Sequence, residues 1–323
     1  LLGTETIVMK KFSMRLMITP GLMVAFFALL FSACQKMDLR PPGNTDKRSI
    51  AQLVSQTPGF ELLKAAISRA GLQDDLNKPG NLTVFAPTND AFINAGFKTT
   101  SDIAKADKET LRNILLFHVL GQRVPASAIP EANNTPVTTL SQQTLYATRN
   151  GSNVSINGVS VVRADINASN GVIHVINRVL LPPVGNIVDV AQSNPAFSFL
   201  VAAVIRAELV NALQGDGPLT VFAPTNEAFI NAGFPDISSI QQAKPADLTP
   251  ILLYHVVAGR VFSSQLSNGP VPTLLTPQTV GISLAGPTVR GNRNSSASNI
   301  IITDVVATNG VVHAIDQVLL PNP

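Results

Sequence analysis

The chain has 323 residues, with 23 Lys and Arg against 20 Asp and Glu, four His, one Cys and no Trp. Charges this sparse and evenly spread exclude the basic field of a nucleic-acid binder, and a single Cys excludes a disulfide framework. With 45% apolar residues, a chain of this length has enough to fill more than one core.

Residues 1–33 read as a signal peptide. Met9-Lys10-Lys11 opens a short basic region that ends at Arg15. Residues 1–8 precede that Met and are expected to lie upstream of the true start. Leu22–Phe31 is an unbroken apolar run, half the roughly 20 residues that a membrane span needs. Leu30-Phe31-Ser32-Ala33-Cys34 follows directly. Small residues before a lone Cys resemble the bacterial lipobox, which implies cleavage before Cys34 and its acylation. Several acyl chains anchor stably, at about 0.8 kcal/mol per buried CH₂. The expected location is therefore the bacterial cell envelope, outside the inner membrane, with the membrane met only through this lipid. Lys10, Lys11, Arg15 and Glu5 leave with the leader, so 23 basic and 20 acidic residues become 20 and 19. Residues 34–45, with Pro41-Pro42-Gly43, read as a tether.

The rest of the chain is written twice. LTVFAPTNDAFINAGF (82–97) recurs as LTVFAPTNEAFINAGF (219–234), at a spacing of 137. LRNILLFHVLGQRV (111–124) lies over LTPILLYHVVAGRV (248–261), and NGVIHVINRVLLP (170–182) over NGVVHAIDQVLLP (309–321), the last at a spacing of 139. A unit this long is an ordinary domain rather than a solenoid repeat. Two domains are expected, 46–183 and 184–323. The short Pro182-Pro183-Val184-Gly185 link predicts a restricted mutual orientation.

Each copy reads as α+β. Phe60, Leu63, Ile67 and Ala70 fall at helical spacing with Gly71 as a C-terminal cap, and Phe197, Leu200, Val204 and Ala207 repeat the pattern. A strand follows at Leu82–Ala86. Thr88 is placed to cap a short helix that Gly96 ends. Leu111–Val119 reads as a helix carrying Leu111, Leu115 and His118 on one side. A hairpin turning at Asn150-Gly151 is expected to carry Val154, Ile156 and Val159. A second runs from Val161–Ile166 through Asn170-Gly171 into a strand over Val172–Leu181. Helices first and strands last favour α+β over alternating α/β.

TVFAPTNDAF (83–92), the aromatic-His pairs Phe117-His118 and Tyr254-His255, and NGVIHVINRVLLP (170–182) together resemble the fasciclin, or FAS1, domain. The three blocks occur in order twice, so the resemblance covers nearly all of the mature chain. It implies a seven-stranded β-wedge or sandwich with an α-helical layer against it. DVVATNGVVH (304–313) is especially similar to the periostin-like matrix proteins of animals. In animal members the stretch before this Asn-Gly carries an integrin-binding Asp-Ile, which Asp165-Ile166 matches literally and Asp304-Val305 does not. Domain 1 departs from the family pattern with Phe117 in place of Tyr and Asn177 in place of Asp316.

Candidate chemistry is thin. His118, His174, His255 and His313 give two His per domain and no Cys, short of the three or four protein ligands zinc takes. Histidines that lock backbone elements through hydrogen bonds are the expected role. No nucleophile elbow, phosphate loop or dinucleotide fingerprint occurs, and no cofactor is expected. Thr88, Asn89, Thr225 and Asn226 read as strand-to-helix joints more than as ligand loops. The Asn-x-Ser/Thr sites at Asn81, Asn133, Asn153, Asn167 and Asn294 become glycan candidates only behind a eukaryotic leader. Asp165, Ile166, Asp304, Tyr254 and His255 remain as candidate partner contacts. The function expected is non-enzymatic adhesion to a protein or glycan of a matrix, cell surface or envelope. The alternative is a binder of a hydrophobic or carbohydrate ligand.

Overall fold

A computed structural model describes residues 47–323. The leader, Cys34 and the 34–45 tether lie outside the described residues. In domain 1 the order is α1 (Ile50–Gln56), α2 (Glu61–Ala70), β1 (Leu82–Pro87), α3 (Asn89–Asn94), α4 (Thr100–Lys105), α5 (Lys108–Phe117), β2 (Val119–Leu120), β3 (Thr135–Thr138), β4 (Thr144–Asn150), β5 (Asn153–Ile156), β6 (Val159–Ala168) and β7 (Gly171–Ile176). Domain 2 continues with α6 (Ile187–Gln192), α7 (Ser198–Arg206), α8 (Val210–Gln214), β8 (Leu219–Pro224), α9 (Asn226–Asn231), α10 (Ile237–Gln242), α11 (Pro245–Tyr254), β9 (Val256–Ala258), β10 (Gly269–Pro272), β11 (Thr279–Ser283), β12 (Thr288–Arg290), β13 (Ser298–Ala307) and β14 (Gly310–Ile315).

Each domain holds one seven-stranded sheet, ordered β2-β1-β7-β6-β5-β4-β3 in the first and β9-β8-β14-β13-β12-β11-β10 in the second. The central pairs, β1 with β7 and β8 with β14, are parallel, and the other pairings are antiparallel. All six residues of β7 and of β14 are buried, as strands covered on both faces must be. Side chains alternate between two cores. Val84, Ala86, Ile173 and Val175 face α1, α2 and α5. Phe85 and Ile176 face the curled outer strands with Leu145, Val154 and Ile156. Two such clusters recur in domain 2.

Local chemistry sets the helix ends. Ser49 and Gln52 form a capping box on α1. The Thr88 hydroxyl accepts from the Ala91 N–H to start α3, and Gly96 follows it at φ 94°. Gly71 closes α2 in the left-handed region at φ 68°, where domain 2 holds Glu208 at φ 60°.

Three expected boundaries move. The helix ending at Phe117 begins at Lys108, because Asp107 accepts from the Thr110 N–H. His118 is its C-terminal cap, and Val119 leaves to pair with Val84. Val159 belongs to a new strand, because Asn157 (φ 48°) and Gly158 (φ 77°) turn the chain between β5 and β6. The final strand stops at Ile176 rather than Leu181. Beyond it, the Leu180 N–H donates to His118 instead of to a sheet neighbour, and Arg178 turns outward.

Candidate interaction surfaces

The repeated histidines point inward. Nδ1–H of His118 donates to the Ile114 carbonyl at 2.8 Å, and its Nε2 accepts from the Leu180 N–H at 2.9 Å. His255 makes the same bonds to Ile251 and Leu319. Both rings are therefore neutral, and burial pulls each down to about pKa 4. His174 donates from Nε2 to the Val124 carbonyl and accepts at Nδ1 from the Asp165 N–H. His313 does the same with Val261 and Asp304. Burial lowers these two as well. Among the described residues, no three His, Cys, Asp or Glu side chains gather closely enough to hold a metal ion.

The strand-to-helix joints are equally committed. Asn89 Oδ1 accepts from the Leu62 N–H and Asn226 Oδ1 from the Phe199 N–H, each tying a long helix to the Ala-Pro-Thr-Asn turn. The Thr225 hydroxyl accepts from the Ala228 N–H. Asn170 and Asn309 brace each domain more widely than a turn requires. Asn170 accepts from the Ile50 N–H and donates to the carbonyls of Leu76 and Lys78. The next residue must be Gly, since a Cβ on Gly171 falls 2.1 Å from the Leu82 carbonyl oxygen. Asn294 is buried with both ends of its amide bonded, to Val318 and Leu320, which removes it from the glycan candidates.

Tyr254 and His255 are buried, so their side chains present nothing to a partner. The Tyr254 hydroxyl donates to the Thr279 carbonyl at 2.7 Å and accepts from the Asn292 N–H at 3.0 Å. Its role is to fasten α11 to the outer strands. Tyr254→Phe should lower domain 2 stability by about 1–2 kcal/mol in denaturant titrations, because Asn292 and Thr279 lose a partner. An unchanged midpoint would show that water replaces the hydroxyl at no cost.

The two matched carboxylates have different surroundings. Both sit at a β-bulge in the left-handed region, Asp165 at φ 61° and Asp304 at φ 62°. Asp165 is half-buried, and its Oδ1 accepts from the Ala126 N–H. The neighbouring Ile166 packs on the helical core. The Asp304 side chain is only 1% exposed, because Arg178 of domain 1 covers it.

That ion pair belongs to a joint between the domains. Arg178 donates from Nη2 to Asp304 at 2.6 Å and from Nη1 to the Thr303 hydroxyl at 2.9 Å. Asn134 donates to the Arg260 carbonyl at 2.6 Å, and Gln265 donates to Asn134 and Thr148. The Arg260 guanidinium lies 4.2 Å from the Tyr146 ring centroid, and Tyr146 packs with Phe262, Val306 and Val311. Arg260 also donates to the carbonyls of Ala307, Thr308 and Gly310. A Cβ on Gly158 would lie 2.6 Å from the Asp304 Cγ, so the close approach depends on glycine there. The linker's shortness implied restricted orientation. It gave no sign of Tyr146, Arg178 or Arg260 as the means, and the only hint was that Arg123 and Arg260 repeat at 137.

Two grooves occupy matching places. The one on domain 1, of about 450 Å³, has Asn94, Ala95, Asn157, Arg178 and Leu181 on its own side, and Phe197 and Ile302–Val306 of domain 2 on the other. The one on domain 2, about 960 Å³, is lined by Asn231, Ala232, Arg293, Asp316, Gln317 and Leu320, with no other domain against it. A separate apolar cavity of about 60 Å³ lies under α6, α7 and α8, walled by Ile187, Leu200, Val204, Leu209 and Leu213.

Fold and site thus define a class: tandem α+β domains, docked end to end, with their repeated histidines turned inward. The chain belongs to the fasciclin domain family, whose model matches residues 58–182 and 195–321. It is 28% identical to transforming growth factor-beta-induced protein ig-h3 of Sus scrofa over 253 residues, 78% of this chain and 36% of that protein. It is 29% identical to periostin of Homo sapiens, over 78% of this chain and 30% of that one. Protein sll1483 of Synechocystis is 43% identical over 136 residues, 42% of this chain and 73% of its own. The chain therefore spans about a third of the length of the animal relatives it matches. A solved FAS1 domain pair from the insect cell adhesion molecule fasciclin I aligns over 80% of this chain and 96% of its own, at 20% identity and a TM-score of 0.37. Fasciclin domains are associated with cell-adhesion and extracellular interaction proteins. No helix among the described residues is long and apolar enough to cross a membrane.

Proposed function

We propose that this chain is a non-enzymatic adhesion module, held at the bacterial cell envelope by acylated Cys34 and contacting a protein or glycan of a matrix, cell surface or envelope. The supporting observation is the inward commitment of the repeated histidines, Thr-Asn joints and Asn-Gly asparagines. All of these bond to backbone; Thr225 and Asn226 border the domain 2 groove, but their oxygens are taken by the Ala228 and Phe199 N–H groups, which leaves no convergence of free polar groups among them. Catalysis needs such convergence, whereas recognition by surface shape does not. A pull-down with residues 47–323 immobilised, against envelope and matrix extracts, tests the reading. A specific, saturable protein or glycan partner is expected, and turnover of a small substrate without any such partner would overturn it. Separately, Cys34→Ala should abolish acyl labelling and membrane retention, and retained labelling would end the anchor assignment.

The apolar cavity of domain 2 favours a second reading, a hydrophobic ligand. Its wall is not repeated in domain 1: Val201, Val210 and Ala212 of domain 2 stand where domain 1 has Lys64, Gln73 and Asp75. Its volume of about 60 Å³ is below the roughly 150 Å³ that accommodates benzene in an engineered apolar cavity. Size therefore places this reading second.

A further inference from the structure

The joint between the domains is heterologous, since one face of domain 1 meets a different face of domain 2. Such contacts leave one unmatched face at each end, and these can bind each other in other copies. The open face on domain 2 is its groove. Asn231 and Ala232 correspond to Asn94 and Ala95 at a spacing of 137, and Gln317 and Leu320 correspond to Arg178 and Leu181 at 139. In domain 1 the corresponding groove is walled on its far side by the bulged strand of the next domain, Ile302–Val306. The open face at the other end is the bulge of β6. It shares the left-handed Asp geometry of β13, and Arg163, Ala164 and Asp165 stand where the joint has Ile302, Thr303 and Asp304.

We infer that the domain 2 groove takes the bulged β6 edge of a second copy of this chain, so that copies join head to tail. The observation that selects this occupant is continuity with the existing joint: the same groove in domain 1 is already closed on one side by the same kind of strand. At the new contact Asp165 takes the position of Asp304 and meets Gln317 where Arg178 stood. Exposed Arg293, on the 291–297 loop, provides a cation on the groove wall. The aromatic clasp is absent there. Strand register puts Gly281 in the place of Tyr146, and Pro125 stands for Phe262. The contact between copies is therefore weaker than the joint within one chain. It depends on local concentration, which the short linker supplies internally and a shared membrane supplies between copies.

Sedimentation of residues 47–323 from about 10 μM to about 1 mM tests this. Progressive association is expected for the natural sequence. Asn231→Arg fills the groove and Ala164→Arg obstructs the strand, and both positions are exposed, so each variant should melt like the parent. Each alone should stay monomeric. Their equimolar mixture should form dimers and stop there, since each contributes one intact face. Three results would overturn the inference: a monomer throughout the range, association that survives either substitution, or a mixture that remains monomeric. The adhesion reading is independent, because partner capture by a strictly monomeric chain would leave it standing.

Discussion

Acidification from pH 7 to pH 4 should remove about 3 kcal/mol from each domain through one histidine, His118 in the first and His255 in the second. Unfolded, each imidazole titrates near its ordinary 6.5, whereas folded it titrates at about 4. Between those values the unfolded chain binds the extra proton. Stability is therefore complete above pH 6.5, declines as pH falls, and suffers no further loss from these groups below 4. The cause is geometric as well as dielectric. A protonated ring would turn its Nε2–H against the N–H of Leu180 or Leu319, donor facing donor. Against a typical domain stability of about 5–15 kcal/mol the loss is large. Carboxylates held low by hydrogen bonds, such as Glu61 through Asn89, begin to matter only as pH falls to their ordinary value of 4.5, at the foot of this window. Urea midpoints measured at several pH values between 7.5 and 4.5 provide the check. His118→Gln with His255→Gln should reduce the slope, leaving the part due to His174 and His313, while lowering the pH 7 value. A midpoint independent of pH across that range would contradict neutral, buried rings.

Arg260→Met should destabilise domain 2 by about 3–5 kcal/mol, whereas Arg123→Met should cost domain 1 about 1–2 kcal/mol. The two arginines are repeat partners and make related bonds, Arg260 to Ala307, Thr308 and Gly310, Arg123 to Gly171, Ala168 and Asn167. They differ in cover. Arg260 is buried beneath Tyr146, so the carbonyls it leaves behind find no water, while those behind half-exposed Arg123 do. Tyr146→Ala should close much of the gap, by admitting solvent to Arg260. Separate unfolding transitions followed by hydrogen exchange would read both domains in one sample. Equal costs at the two positions would mean that the joint gives Arg260 no protection.

The repeat made most of the fold legible. Comparing the copies located the long helices, the Leu82 and Leu219 strands, the Thr88 cap and the two domains. The family resemblance added the seven-stranded sheet. Boundaries went wrong where one polar side chain overrode periodicity, as Asp107 did for α5 and His118 did beyond Ile176. The Asn157-Gly158 turn was readable as hairpin chemistry, but the Asn150-Gly151 signal just upstream drew the strand past it. The joint was invisible for a deeper reason. Aligning two copies reveals what they share, and the joint is made from what they do not: Tyr146 against Gly281, Phe262 against Pro125, Arg178 against Gln317. Asp165 and Asp304 looked equivalent for the same reason, and only the docked neighbour separates them.

The end-to-end docking also determines how the molecule bears load. A pull on domain 2 that is resisted at the N-terminus runs through both domains in series. Between them stand the covalent linker at residues 182–185 and, beside it, the clasp of Arg178 on Asp304 and Tyr146 on Arg260. Side-chain contacts break long before peptide bonds or a seven-stranded sheet. Under tension the clasp is therefore the part expected to yield, and only as far as the short linker allows. The joint, rather than either sheet, is thus where a transient tug would first be felt.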